Sequence, residues 1–122
     1  MGGVVLLVTP DLPVRTLPEL VALLKSNPGK YGYGSWGVGS NGHLTMEWLK
    51  SKTGLGAEHV PYKGVGQAYQ DLLAGNLKFV MADVATAYPH IRSGRARALV
   101  ITTRSARLPG VPSMTELGVP FS

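Results

Sequence analysis

Short apolar runs alternate along this chain with longer segments in which apolar residues recur every three or four positions. The runs predict five strands, at residues 4–9, 31–36, 57–62, 77–84 and 96–103. The segments between them predict helices from residue 17 to the Asn27-Pro28-Gly29 stop and at residues 41–52, 66–74 and 87–92. This order is typical of an α/β three-layer sandwich with a mainly parallel sheet and helices on both faces.

Local signals mark the helix ends and the predicted core faces. Thr16-Leu17-Pro18-Glu19 is a capping-box pattern with proline in the first turn, and Gly54 and Gly75 stop the second and third helices. The inward residues that helical spacing predicts are Leu44, Trp48 and Leu49 in the second helix and Ala68, Tyr69, Leu72 and Leu73 in the third.

Ligands of sheets of this kind bind beyond the carboxyl ends of the strands. The residues that follow the predicted strands are 10–13, 35–41, 61–66 and 83–86. Asp83 is a candidate site residue or the cap of the next helix, with equal weight on the two interpretations. Tyr62 and Lys63 form a surface turn or present a hydroxyl and a cation to the same crevice.

The segment 37–42 spells G-x-G-x-x-G, the pattern of dinucleotide-binding loops. Gly37, Gly39 and Gly42 let the backbone approach a ligand, and Ser40 or Asn41 can cap the helix that follows. Free N–H groups at a helix start suit an anion, which is either pyrophosphate or carboxylate. A dinucleotide site also needs an acid at the end of the next strand, whereas Glu58 lies at the start of that strand.

Composition narrows the class of protein further. With 122 residues the chain predicts a single α/β domain, residues 1–122. Its formal net charge of +5 is spread without a basic block, so no nucleic-acid partner is expected. There is no cysteine, which excludes disulfides, thiolate metal sites and a cysteine nucleophile. No signal peptide or membrane-spanning run is expected, and the start inside an apolar run suggests an excised domain.

Catalytic and metal chemistry find little support. The three histidines, His43, His59 and His90, lack metal-ligand spacing, so we expect one capping or core histidine and two at the surface. No nucleophile elbow surrounds Ser35 or Ser40. The sequence therefore predicts a protein that is not an enzyme and that has neither metal nor cofactor.

Three segments together carry a family resemblance: "YGYGSWGVGSNGHL", "HVPYKGVGQAYQDLLAG" and "YPHIRSGRARALVITTRSARLPGVPSMTELG". They resemble the Bug-type extracytoplasmic solute receptors of tripartite tricarboxylate transporters, over essentially the whole chain. The resemblance implies a type II periplasmic-binding-protein-like half, namely the second domain of a two-domain receptor. The first strand would then come out of the missing first domain, and the tail after Gly118 would return to it.

The resemblance also implies a function and a site. The parent receptor would capture a small di- or tricarboxylate or related organic acid in the periplasm and present it to a membrane permease. The ligand-binding residues carried over are Ser35, Gly37, Gly39, Ser40 and Asn41, with Tyr62 and Asp83 as weaker candidates. Trp36 stands where the family usually has a small residue, so its ring would narrow the pocket or stack on an aromatic ligand.

Two alternatives stay open on sequence grounds. One is a fragment of a dinucleotide-binding enzyme, which requires an acid at a strand end. The other is the effector domain of a transcription regulator, which shares the fold class but requires a DNA-binding helix pair that the sequence lacks.

Overall fold

A computed structural model describes residues 3–27, 30–37, 40–54 and 56–118, without the side chains of Asn41 and Val65. These residues form five strands, β1 (Val4–Val8), β2 (Gly32–Ser35), β3 (Glu58–Pro61), β4 (Phe79–Asp83) and β5 (Arg97–Ile101). They also form four helices, α1 (Leu17–Ser26), α2 (Asn41–Thr53), α3 (Val65–Leu73) and α4 (Val84–Arg92). The predicted strictly alternating order is confirmed. None of the described helices is long and apolar enough to cross a membrane.

The strands form one sheet in the order β3-β2-β4-β1-β5. β2 runs parallel to β3 and β4, whereas β1 runs antiparallel to β4 and β5. Four strands therefore point one way, and β1, which lies between β4 and the edge strand β5, points the other way. Val8 pairs with Phe79 at the start of β4, so residues 10–13 lie at the opposite end of the sheet from Asp83. The expectation that residues 10–13 join the other strand ends is wrong, because β1 is reversed.

The sheet is buried on both faces along β1 and β4, as a three-layer fold requires, whereas the edge strand β3 is largely exposed. Leu6, Val8 and Phe79 pack with α1 and α2 residues such as Leu20 and Met46. Val5, Leu7 and Val80 face the other way, toward α3 and α4, and pack with Ala68, Leu72 and Ala87. Because alternate residues of a strand point to opposite faces, the five consecutive apolar residues of β1 serve both cores at once.

The helix ends follow the local signals. The Thr16 side chain accepts a hydrogen bond from the Glu19 N–H, so it caps α1 as predicted. Gly54 ends α2 in the left-handed conformation with φ +76°. α4 begins at Val84 rather than at residue 87, because the Asp83 side chain caps it.

Two predicted core positions are wrong. Leu44 of α2 is 51% exposed, and Leu73 of α3 is 41% exposed. The buried side of α2 instead runs through Thr45, Met46 and Leu49. Leu44 precedes the buried Thr45, and Leu73 follows the buried Leu72. Neighbouring residues of a helix point about 100° apart, so each leucine points away from the core.

Candidate functional site

Three strands and three helices meet at one end of the sheet. β2, β3 and β4 run parallel, and each is followed by the first turn of α2, α3 or α4. Ser40, Gly64 and Asp83 are the N-cap residues of these helices. We call this end, residues 35–37, 40–43, 61–66 and 83–86, the carboxyl edge. Helix N-termini carry partial positive charge, so this arrangement favours an anionic ligand.

Ser35, the last residue of β2, is completely buried. Its Oγ lies 2.5 Å from Nε2 of His59 and 3.2 Å from the carbonyl oxygen of Gly37. It also accepts a 3.3 Å hydrogen bond from the Gly37 N–H. The hydroxyl therefore holds the chain as it leaves the sheet rather than facing solvent.

Gly37 and Ser40 form the described part of the glycine-rich turn. Gly37 has φ +142°, a conformation that favours glycine. The Ser40 hydroxyl donates a 2.6 Å hydrogen bond to the Gly37 carbonyl and accepts one from the His43 N–H at 3.3 Å. Of the two capping candidates, Ser40 is thus the cap of α2. Gly39 and the Asn41 side chain lie outside the described residues.

Gly42, the third glycine of the pattern, serves packing. A Cβ at this position would lie 2.8 Å from Cζ3 of Trp36 and 3.2 Å from the Met81 carbonyl oxygen. The absence of a side chain therefore lets the first turn of α2 lie against β4 with the Trp36 ring across it. This close approach needs glycine whatever ligand the preceding loop holds.

Tyr62 lies beside the end of β2, but its hydroxyl points toward α3. The Tyr62 N–H donates to the Ser35 carbonyl at 3.1 Å, and the hydroxyl donates to Oδ2 of Asp71 at 2.6 Å. Burial and the Asp71 carboxylate raise the pKa of the Tyr62 hydroxyl to about 12. The ring packs near Gly34, where a Cβ would lie 3.1 Å from it. Tyr62 supports the end of β2 through its backbone and its ring.

Asp83 acts as a helix cap. Its Oδ2 accepts from the Thr86 N–H at 3.1 Å, and its Oδ1 accepts from the Thr86 hydroxyl at 2.7 Å. The Tyr69 hydroxyl lies 2.7 Å from the same Thr86 oxygen. Burial, the largest influence, raises the pKa of Tyr69 to about 12, although its bond to Thr86 opposes the rise. Both carboxylate oxygens of Asp83 are therefore engaged in starting α4.

His43 and His59, whose proximity no pattern in the sequence predicts, stack on each other at the carboxyl edge. The rings of His43 and His59 lie 4.0 Å apart and almost parallel, at 8°. The expectation of two surface histidines is wrong, because this pair is half-buried and the His90 ring lies 4.6 Å from Tyr69. The parallel pairing of β2 and β3, with Tyr33 opposite His59, brings the pair together. Among the described residues, no group of three potential ligands could hold a metal ion.

Charged groups surround the histidine pair on the α2 side. The Tyr33 hydroxyl donates to Oε2 of Glu47 at 2.6 Å, and Lys50 donates to the same oxygen at 3.0 Å. Burial raises the pKa of Glu47, but the bonds from Tyr33 and Lys50 outweigh it and lower the pKa overall. Burial, together with His43 and Lys50, lowers the pKa of His59 against the opposing charge of Glu47.

A dinucleotide site would need an acidic residue at the end of β3, and the structure places Glu58 at the start of that strand instead. Glu58 is the first residue of β3 and pairs with Gly32 at the start of β2. That position lies at the far end of the strand from the glycine-rich turn. An acid that holds a ribose would have to stand at the other end of β3.

Comparisons with known proteins agree on one family. The model of the "Tripartite tricarboxylate transporter family receptor" matches residues 2–121. A UPF0065 protein from the gbd 5′ region of Cupriavidus necator is 43% identical over 93% of this chain and 35% of its own length. Protein BugT of Bordetella pertussis is 39% identical over 95% of this chain and 36% of its own length.

Solved structures of this family share the fold closely. Rpa4515 of R. palustris, solved with adipate, superposes with a TM-score of 0.91 at 32% identity, over 98% of this chain and 40% of that one. MatC of Rhodopseudomonas palustris, solved with malate, gives a TM-score of 0.90 at 27% identity, over 97% and 41%. This chain therefore spans only about a third to two-fifths of the proteins it matches. It belongs to the tripartite tricarboxylate transporter receptor family, whose members are periplasmic solute-binding receptors and not enzymes.

Proposed function

We propose that residues 1–122 form the second domain of a two-domain receptor that captures a small di- or tricarboxylate in the periplasm and delivers it to a membrane permease. The observation that carries this proposal is the near-complete superposition on receptors solved with adipate and with malate. Both of those ligands are small dicarboxylates, and the carboxyl edge of this chain presents helix N-termini suited to an anion.

The proposed ligand contact is the segment from Ser35 to Asn41, which we call the ligand loop. Gly39 and Asn41 would offer backbone N–H groups to one carboxylate of the ligand. Gly37 and Ser40 would line the same contact and shape the loop, because the Gly37 N–H donates to Ser35 Oγ at 3.3 Å and the Ser40 N–H donates to the Gly37 carbonyl at 3.2 Å. We assign Ser35 to holding the loop, because its side chain is completely buried and bonded to Gly37 and His59.

Tyr62 and Asp83 are weaker candidates for ligand contact. The Tyr62 hydroxyl is bonded to Asp71, and both oxygens of Asp83 are bonded to Thr86. A carboxylate ligand would also be repelled by the negative charge of Asp83. We assign the two residues to supporting the ends of β2 and β4.

The connections of the sheet support a position for the first domain above the carboxyl edge. The start of β1 and the end of β5 lie side by side there, because the Thr102 N–H donates to the Val4 carbonyl at 2.9 Å. The Gly3 carbonyl in turn accepts from the Val84 N–H at 3.0 Å. A first domain joined through these two segments would face the ligand loop and form the opposite wall of the pocket.

Titration calorimetry on the full-length receptor and on the 122-residue chain tests the proposal, with adipate, malate and NAD as probes. We expect the receptor to bind a carboxylate and the chain alone to bind with a Kd above about 1 mM, because one wall of the pocket is missing. NAD should bind to neither protein. A receptor that binds no small carboxylate, or saturation of either protein by micromolar NAD, would contradict the proposed function.

A further inference from the structure

A closed circuit of contacts links the histidine pair to the ligand loop. His59 lies 2.5 Å from the Ser35 hydroxyl, which bonds to both backbone groups of Gly37. The Gly37 carbonyl accepts from Ser40, and Ser40 caps the His43 N–H. The His43 ring then stacks on His59 and closes the circuit. Ser35, Gly37, Ser40, His43 and His59 therefore form one connected network of contacts.

The Ser35 hydroxyl has a single proton to donate, so its partners depend on the His59 ring. When Nε2 of His59 lacks a proton, Ser35 donates to it and Ser35 Oγ accepts from the Gly37 N–H. When Nε2 carries a proton, it donates to Ser35, and the Ser35 proton turns to the Gly37 carbonyl. For the neutral ring with its proton on Nδ1, protonation of His59 therefore changes the hydrogen bonds of the peptide groups around Gly37.

The surroundings of the pair disfavour two cations. From α2, His43, Glu47 and Lys50 face His59, and from β2, Tyr33 and Ser35 face it. Two protonated rings 4.0 Å apart would repel each other, and Lys50 adds a third positive charge, which Glu47 opposes.

The position of His43 connects the stacking to the ligand loop. His43 lies in the first turn of α2, which Ser40 caps. Separating the rings would move this turn and Ser40 away from β3. The stacked arrangement therefore depends on a pair that is not doubly charged.

We propose that His59 is a positioning residue for the ligand loop, acting through Ser35 and Gly37, and that the rearrangement on protonation of His59 weakens carboxylate binding by more than the positive charge of the ring strengthens it. The effect on binding rests on the proposed function. The coupling between the His59 ring and the Gly37 peptide does not rest on it, because that coupling follows from contacts within this chain.

Nuclear magnetic resonance on the 122-residue chain tests the coupling without a ligand. Because the pKa of His59 is lowered, the His59 ring and the Gly37 amide are followed from about pH 7.5 down to about pH 4.5. We expect the Gly37 amide signal to titrate with the same midpoint as the His59 ring. His59→Gln, which keeps a polar group near the Nε2 position but does not titrate, should abolish this step. His90→Gln, at the third histidine, should leave it in place. A Gly37 step that persists in His59→Gln would overturn the coupling.

Calorimetry on the full-length receptor with adipate and malate tests the effect on binding from about pH 7.5 to about pH 5.5, above the pH at which the ligand carboxylates are mostly protonated. We expect affinity to fall about tenfold on acidification in the parent and in His90→Gln, and less than about twofold in His59→Gln. His59→Ala should weaken binding at the higher pH, with partial rescue in His59→Gln. Equal pH dependence in parent and His59→Gln, or tighter binding in acid, would overturn the proposal. A receptor that binds no carboxylate would overturn the proposed function, and the resonance titration would then decide the coupling separately.

Discussion

The Tyr33 hydroxyl donates a 2.6 Å hydrogen bond to Oε2 of Glu47 and so joins β2 to α2. The Tyr33 side chain is completely buried, whereas Glu47 lies partly in solvent and also binds Lys50. Burial, with the carboxylate beside it, raises the pKa of the Tyr33 hydroxyl. The bond anchors α2, the helix that carries the end of the ligand loop.

Tyr33→Phe should lower the free energy of unfolding by about 1 kcal/mol, because it removes one hydrogen bond to a partly exposed charged group. Urea unfolding of Tyr33→Phe, Glu47→Gln and the double variant gives the coupling between the two side chains. We expect the two effects to be less than additive. Additive effects would mean that the bond contributes nothing measurable.

Gly42→Ala should destabilise the chain by about 1–2 kcal/mol, because the new methyl group would press on the Trp36 ring and the Met81 carbonyl. Gly66→Ala is the matched control. Gly66 is likewise the second residue of its helix, and no atom lies within 4 Å of its added Cβ. Gly66→Ala should stabilise the chain by about 0.5 kcal/mol. Urea unfolding followed by tryptophan fluorescence measures both, and a neutral Gly42→Ala would refute the packing role.

Asp83→Ala should lower the free energy of unfolding by about 1 kcal/mol through loss of the α4 cap. Asp83→Asn should recover most of that loss, because asparagine is an equally good capping residue. Thermal melting of both variants measures the effect. Equal destabilisation by alanine and asparagine would show that the charge of Asp83, rather than its capping bond, stabilises the fold.

Acid should destabilise the segment that follows β5. The Arg104 guanidinium, with the backbone and side chain of Ser113, lowers the pKa of Glu116 from 4.5 to about 2. Since the folded pKa lies below the unfolded one, this stabilisation is complete above about pH 4.5 and is lost as the pH falls toward 2. Melting temperatures across that range should fall less steeply in Glu116→Gln than in the parent. Glu58→Gln, on the edge strand, is the control and should keep the slope of the parent.

In the full-length receptor, Gly39→Val should cost more carboxylate affinity than Ser40→Ala. Valine would place a branched side chain where the ligand is expected to approach the backbone, whereas alanine removes one hydroxyl, worth about 1 kcal/mol. Ser40→Ala should also lower stability by about 1 kcal/mol, because Ser40 caps α2. Calorimetry and thermal melting separate the two effects. Unchanged binding in Gly39→Val would mean that the loop only caps α2 and does not contact the ligand.

Features encoded over a few residues could be predicted from the sequence. Thr16 and Gly54 mark helix ends through their own local hydrogen bonds or backbone angles, and the structure confirms both. The direction of β1 could not be predicted in this way. It is decided by pairing with β4 and β5, which lie near the other end of the chain.

The candidate site was predicted only in part for the same reason. The glycine-rich turn is contiguous in sequence, so its place between β2 and α2 could be predicted, and its contact with a ligand stays a prediction. The stacking of His43 on His59 depends on the register that places His59 opposite Tyr33, and no spacing of histidines in the sequence signals that register. Leu44 is exposed because α2 turns the polar Thr45 toward the core, and apolar spacing alone does not signal a buried threonine.

The reversed direction of β1 has a consequence for the order in which the sheet forms. β1 precedes the other four strands in this chain, yet its Val4 N–H donates to the Thr102 hydroxyl, 98 residues further on. Contacts of such long sequence separation slow folding, because the loop must close before the contact stabilises anything. A nascent chain that ends before β5 therefore carries an apolar strand with one unpaired edge, which is the stage most exposed to aggregation or to a chaperone.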